Sequence, residues 1–223
     1  LALHSNIRSR AFGNLTDPRG WGRFNGFTLL GTKGHRSVAI VQVMLAPTAS
    51  AAWFKQIHQM KDLRAAGAKQ IKTYPREQAY SDLVDMLQPL AAKGSAIIIM
   101  GDFNDDMGRP SRGGVLSSMD GMMEVLGLCD VMSERRKAAY TANDKHVKRE
   151  DCWTYRAKGR EDKTVQTTPD HILISRSIKH SIVKAGVLQE GAEANINNSD
   201  HRFIFTELDL RGWLGWDCSG NKS

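Results

Sequence analysis

Three short segments carry side chains able to do polar chemistry beside a strand. The first is Gly101-Asp102-Phe103-Asn104, which directly follows the unbroken apolar run Ala-Ile-Ile-Ile-Met at 96–100. Such a run reads as a strand covered on both faces, so a carboxylate at its end is held where loops converge. Asp102 could take a proton from water or hold a metal ion. Asn104, two residues on, could point the same way and donate its amide to a phosphate oxygen. The second segment, Thr168-Pro169-Asp170-His171, leads into Ile-Leu-Ile-Ser at 172–175. Pro169 presets the backbone and Asp170 sits at the strand start. The third, Ser199-Asp200-His201, precedes Arg-Phe-Ile-Phe at 202–205. A carboxylate beside an imidazole could bind a cation and a phosphoryl oxygen together. Each segment alone is also ordinary turn punctuation.

The elements that must position these groups follow from periodicity. Residues 27–30 and 37–45 read as strands split by a Gly-Thr-Lys-Gly turn, and Pro47 ends the second. Residues 53–66 predict a helix with Trp53, Ile57 and Met60 on one side, stopped by Gly67. Pro75 opens a second helix in which Tyr80, Leu83, Val84, Leu87, Leu90 and Ala91 make one apolar stripe, ended by Gly94. Ser117 could cap a short helix to about 126. Residues 152–155, 171–175, 182–188 and 202–208 read as further strands. Residues 5–26 read as irregular, and Trp213 and Trp216 either dock back on the body or begin a linker. The sum is a layered α/β or α+β domain around a central sheet system.

A chain of 223 residues, 41% hydrophobic and 25% charged, is long enough for a full core. That composition excludes a disordered chain, a collagen-like repeat and a coiled coil. No window approaches eighteen uncharged apolar residues, so no membrane span is expected. Residues 1–10 carry Arg and His without an apolar core, which does not read as a signal peptide. Cys129, Cys152 and Cys218 are odd in number and widely separated, compatible with a reducing, intracellular compartment, nucleus or cytoplasm unresolved. The formal charge is +7. Residues 1–50 hold Arg8, Arg10, Arg19, Arg23, Lys33 and Arg36 against Asp17 alone. A basic surface favours polyanions such as nucleic acid, and solvated charge is the plain alternative.

Taken together and in this order, GDFN, PDH and SDH resemble the endonuclease/exonuclease/phosphatase superfamily, the DNase I-like fold, over roughly residues 27–210. The segments 75–83 and 169–175 look like the endonuclease domains attached to reverse transcriptases in some mobile elements. The resemblance implies a four-layer α/β sandwich, two packed β-sheets flanked by helices, here lacking its first strands. It divides the chain into a segment 1–26, a domain 27–210 and a tail 211–223, with linkage to a downstream domain of a longer polyprotein as one arrangement. It implies phosphodiester hydrolysis dependent on Mg²⁺ or Mn²⁺, with DNA the favoured partner and no membrane. Asp102 would orient and deprotonate the water, and Asn104 would hold the nucleophile or the phosphate. His201 would hydrogen-bond a phosphoryl oxygen, Asp170 would fix the His201 tautomer, and Asp200 would be a metal ligand.

The chain departs from the family pattern in two places. A strand bearing an early metal-ligand Glu is expected, yet no Glu precedes Glu77. Where many relatives carry a Tyr two residues before a strand-end Pro, this chain has Leu45 before Pro47. Three readings therefore stay open: a DNA endonuclease, a phosphomonoesterase or lipid phosphodiesterase of the same fold, and a catalytically impaired nucleic-acid-binding remnant.

Other candidates are weaker. Arg109 and Arg112, in the loop after GDFN, could face a phosphate backbone as substrate-binding residues. Residues 135–163 mix basic residues with Tyr140, Trp153 and Tyr155 and could contact nucleic acid or be a solvated excursion. His171 should point to the opposite strand face from Asp170, into the core. Met119, Met122 and Met123 read as core filler. The cysteines lack zinc spacing.

Overall fold

The computed structural model describes residues 5–32, 34–105, 107, 118–141, 154–158, 164–188 and 201–216. Its centre is a sheet of six strands: β1 (Ala11–Thr16), β2 (Phe24–Leu29), β3 (Val38–Met44), β4 (Ala96–Asp102), β5 (Leu128–Asp130) and β8 (Asp170–Ser175). The spatial order is β1-β2-β3-β4-β8-β5. β3 and β4 run parallel, and the other neighbours are antiparallel. A parallel pair needs a crossover. Here α2 (Ala51–Ala65) and α3 (Pro75–Ala92) supply it.

Local chemistry sets these boundaries. The Ser50 hydroxyl accepts the Trp53 amide and caps α2. Pro75 stands in the first turn of α3, where its missing N–H costs nothing. Tyr80, Leu83, Val84 and Leu87 are buried against Val41, Val43, Ile97, Ile99 and Leu173 on one face of the sheet. Met119, Met122 and Met123 of α4 (Met119–Val125) join that cluster, with Ser118 accepting the Gly121 amide as cap. Ser117, the expected cap, lies outside the described residues.

The other sheet face is covered by a ribbon of β9 (Ile182–Val187) and β10 (Ile204–Leu208), by α5 (Val131–Thr141) and by α6 (Arg211–Leu214). Val38, Ile98, Ile172 and Ile174 pack there against Ala185, Ile204, Leu208 and Leu214. β6 (Tyr155–Lys158) and β7 (Thr164–Thr167) form a separate antiparallel pair. The architecture is thus α/β, with two packed sheets flanked by helices, the second sheet having two strands among the described residues. No described helix is long and apolar enough to cross a membrane. Trp213 docks back on the body: its indole N–H donates to the Ser37 carbonyl at 3.1 Å.

Two expectations need correction. The stretch 5–26 is not irregular: it holds α1 (Ser5–Arg8), β1 and the start of β2. β1 escapes detection because its register shifts between Phe12 and Asn14, where Gly13 adopts φ 68°. Such a bulge breaks the period-two pattern that marks a strand. Second, the early basic residues are not simply a charged surface. Arg23 is buried with Asp17 and Asp82, its Nη2 lying 2.6 Å from a carboxylate oxygen of each. Arg19 forks onto both oxygens of Asp82 at 2.7 and 2.9 Å, and Gln78 donates to the same carboxylate. Burial pushes the Asp17 carboxyl up, but the bonds from Arg23 and the Arg19 amide outweigh it and hold it below its usual range.

Candidate active site

Asp102 and Asp170 face each other across β4 and β8, as directly paired residues. Side chains on one face of a strand pair stand close, so the two carboxylates share a rim. Met100 and Ile172 occupy the preceding pair on the same face. Gly101, between them, has φ 137°, and a Cβ there would lie 2.0 Å from the Val43 carbonyl oxygen. β3 and β4 therefore approach closely at the point where the chain delivers Asp102.

Beyond Asp102 the chain reverses. Phe103 is fully buried and its amide donates to the Pro169 carbonyl at 2.9 Å. Asn104 adopts the left-handed conformation at φ 48°, which Asn tolerates better than most residues. Its backbone N–H donates to Asp102 Oδ1 at 2.8 Å. Its side-chain amide donates to Asp102 Oδ2 at 2.8 Å and to the Leu45 carbonyl at 2.7 Å. Both partners only accept, which fixes the amide orientation and leaves the carbonyl oxygen for any ligand. With its amide so engaged, the group Asn104 turns outward is the carbonyl oxygen, which can accept from a water. Leu45 itself is buried in the core, and its backbone supplies the contact.

His201 arrives from the far end of the chain. Its backbone makes a bridge with Tyr155, the Arg202 amide donates to the Thr154 carbonyl at 2.7 Å, and the Tyr155 ring lies 4.9 Å from the imidazole. Thr154 also ties this segment to Asp170, whose amide donates to the Thr154 hydroxyl at 3.3 Å. Imidazole Nδ1 stands 2.8 Å from Asp170 Oδ2. A carboxylate only accepts, so Nδ1 carries the proton and the reactive nitrogen is Nε2. The sequence gives no local signal for Thr154 or Tyr155 as the holders of His201, because they lie more than forty positions earlier in the chain and meet it only in the fold.

Asp102, Asp170 and His201 place one ligand atom each within 4.8 Å of one another. Because His201 Nδ1 is committed to Asp170, the two carboxylates are the groups that would hold a cation. Oxygen donors of this kind suit Mg²⁺ or Mn²⁺. Among the described residues no glutamate joins the cluster. Burial raises the Asp102 carboxyl above its ordinary value of 3.8 and the Asp170 charge adds to this, against the Asn104 bonds and the His201 charge. Asp200, Arg109 and Arg112 lie outside the described residues, as do Trp153 and much of 135–163.

Behind the rim, the alternation of β8 sends His171 to the opposite face, where it is buried. Its Nδ1 is 3.5 Å from Asp130 Oδ1, and Nε2 donates to the Asp105 carbonyl at 3.1 Å. Asp105 in turn accepts from the Tyr80 hydroxyl at 2.8 Å and lies 3.6 Å from Arg76. Burial opposes ionisation of both His171 and Asp130. Their mutual attraction wins, raising the imidazole and lowering the carboxyl relative to their ordinary values.

No family model matches the chain, and no curated protein does. Solved structures do. A 3′-5′ exonuclease, NExo, from Neisseria meningitidis superposes at TM-score 0.54 with 16% identity, over 89% of this chain and 72% of that one. A Neisseria structure described as the 3′ phosphatase NExo bound to product DNA hairpin gives TM-score 0.51 and 16% identity, over 84% of this chain and 65% of that one. The endonuclease domain of TRAS1, a telomere-specific non-LTR retrotransposon, gives 0.43 and 13% identity, over 89% of this chain and 69% of that one. The chain thus spans about two thirds of the length of these proteins. Its fold is the DNase I-like fold.

Proposed function

We propose that this DNase I-like chain hydrolyses phosphodiesters with the aid of a divalent metal ion, and that DNA is its substrate. The observation that carries this reading is the convergence of Asp102, Asp170 and His201, drawn from three distant segments, within 4.8 Å. Random turns would not meet there. A water at the rim would be oriented by the Asn104 carbonyl oxygen and give its proton to Asp102. The oxygen so generated attacks phosphorus as the leaving oxygen departs on the opposite side and takes a proton from solvent water. Held by Asp170 at Nδ1, His201 would donate from a protonated Nε2 to a phosphoryl oxygen as charge builds there. Mg²⁺ or Mn²⁺, held by the carboxylates, would supply neutralisation of that charge.

The choice of DNA rests on the +7 charge and on the Neisseria protein of the same fold, which is described with a product DNA hairpin. The test is nicking of supercoiled plasmid with Mg²⁺ by the parent, His201→Ala and Asp170→Asn. Loss of a transition-state donor costs about 3–4 kcal/mol, roughly a hundred- to a thousandfold in rate. Equal nicking by parent and His201→Ala would overturn the assignment, as would no nicking by the parent. A second reading, a terminal 3′-phosphatase, is favoured by the description of the same Neisseria protein as a 3′ phosphatase. Faster release of phosphate from a 3′-phosphorylated oligonucleotide than of nicked plasmid would select it. A soluble inositol phosphate outcompeting DNA would instead favour the lipid phosphodiesterase reading. A third reading, a nucleic-acid-binding remnant, is favoured by the absence of a glutamate from the described cluster. Salt-sensitive DNA binding without metal-dependent cleavage would select that one.

A further inference from the structure

Asn104 makes three donations from a left-handed backbone, and these bonds hold the turn from its own side. The residues on either side hold it from behind. Phe103 is sunk in the core, with its ring edge-on to His171 at 5.8 Å. Asp105 is buried and gripped from two elements. Tyr80 and Arg76 of α3 hold its carboxylate, and His171 of β8 holds its carbonyl while resting on Asp130 of β5. A fully buried tyrosine, a buried histidine and two buried aspartates form this bracket directly behind the rim. Well-packed apolar residues stabilise a core at least as well as such a group, so stability alone does not account for it. Its geometric effect is specific: it fixes the far end of the reversal whose near end is Asp102.

We propose that Tyr80, Asp105 and His171 are positioning residues that lock Asn104, and through it Asp102, in the geometry for attack. The claim rests on the hydrolase reading given above, and it goes further by assigning a role to groups on the opposite face of the sheet. β8 serves both faces at once, since Asp170 pairs with His201 while the next residue, His171, braces the loop.

The test uses Tyr80→Phe, which removes one hydroxyl from a buried site and keeps the ring. In Mg²⁺-dependent cleavage, kcat should fall between about ten- and a hundredfold with KM within twofold of the parent, as expected for misplacement of a catalytic group. In the Asn104→Ala background the same change should cost almost nothing, because the bracket then has nothing to position. An undiminished cost in that background, or an unchanged kcat in Tyr80→Phe, overturns the proposal. A readout independent of turnover separates its failure from that of the hydrolase reading. The Asn104 side-chain amide protons, bonded to Leu45 and Asp102, should exchange slowly in the parent and at least tenfold faster in Tyr80→Phe, with global protection retained. If the parent does not cleave, the hydrolase reading fails, and this exchange decides only whether the bracket locks Asn104: equal exchange in both proteins overturns the lock, and faster exchange in the variant upholds it. Asp105→Asn, which keeps size and the backbone contact, should give the same pattern if Tyr80→Phe fails to fold.

Discussion

At Gly101 a backbone with φ 137° passes so close to β3 that a methyl group would meet the Val43 carbonyl at 2.0 Å. Gly101→Ala should therefore cost about 4 kcal/mol or more, combining a strained φ with a backbone clash. Urea unfolding measures it, and a parental midpoint would refute the close approach. The buried Asp130–His171 pair gives a pH signature. The imidazole is raised, so its contribution is complete below its ordinary value of 6.5 and is lost as pH rises through the raised value. The carboxyl is lowered, so its contribution is present above 3.8 and is lost as pH falls through the lowered value. The Tm difference between parent and Asp130→Asn should thus be greatest near pH 5–6 and shrink above neutrality; a flat difference would count against a charged pair. At this scale Asp102, Asn104 and Asp170 are legible in the sequence, because strand-end position is a local property. The direction of the Asn104 amide is not, since its partner Leu45 lies on another strand. Nor is the role of Asp105, which reads as one more loop acid until Tyr80 and His171 are seen on it.

Among elements, the turn between β1 and β2 is fastened to α3 by Arg19 and Arg23 on Asp82. Arg23→Leu would leave the buried carboxylates of Asp17 and Asp82 without their shared guanidinium. Breaking a buried pair costs about 3–5 kcal/mol. Urea unfolding at pH 7 should show that loss, and it should lessen in acid as Asp17 takes up a proton; an unchanged midpoint would mean that Arg19 and Gln78 suffice. Composition hid this network. It reads Arg19 and Arg23 as part of a basic surface, because the partner they share, Asp82, lies about sixty positions away and only packing brings it near. The helices and central strands were legible for the opposite reason. The α3 stripe, the Pro75 start and the β4 apolar run are periodic or punctuated over a few residues, whereas β1, bulged at Gly13, carries no such period.

For the molecule as a whole, the covering of the second sheet face depends on the chain returning after β10. Leu214 is fully buried there, the Trp213 indole bonds Ser37, and Arg36 lies 4.8 Å from the Trp213 ring. Leu214→Ala should cost about 2–5 kcal/mol, as cavities in cores do. Thermal unfolding checks it, and a Tm within a degree of the parent would show that the tail merely rests on the surface. The sequence leaves open whether 213–216 dock or lead away, since Gly and Trp in alternation fit either.

The position of that docking also sets an orientation. Ser37 and Thr32, which receive the tail, flank the β2–β3 connection where β3 begins, while Met44 at the other end of β3 is paired with Asp102. Seven extended residues span about 20 Å. A biotin or affinity handle grafted after residue 216 would therefore anchor the protein to a sensor chip by its floor and leave the carboxylate rim turned toward the flow, which makes this the attachment point for weighing substrates on the immobilised protein.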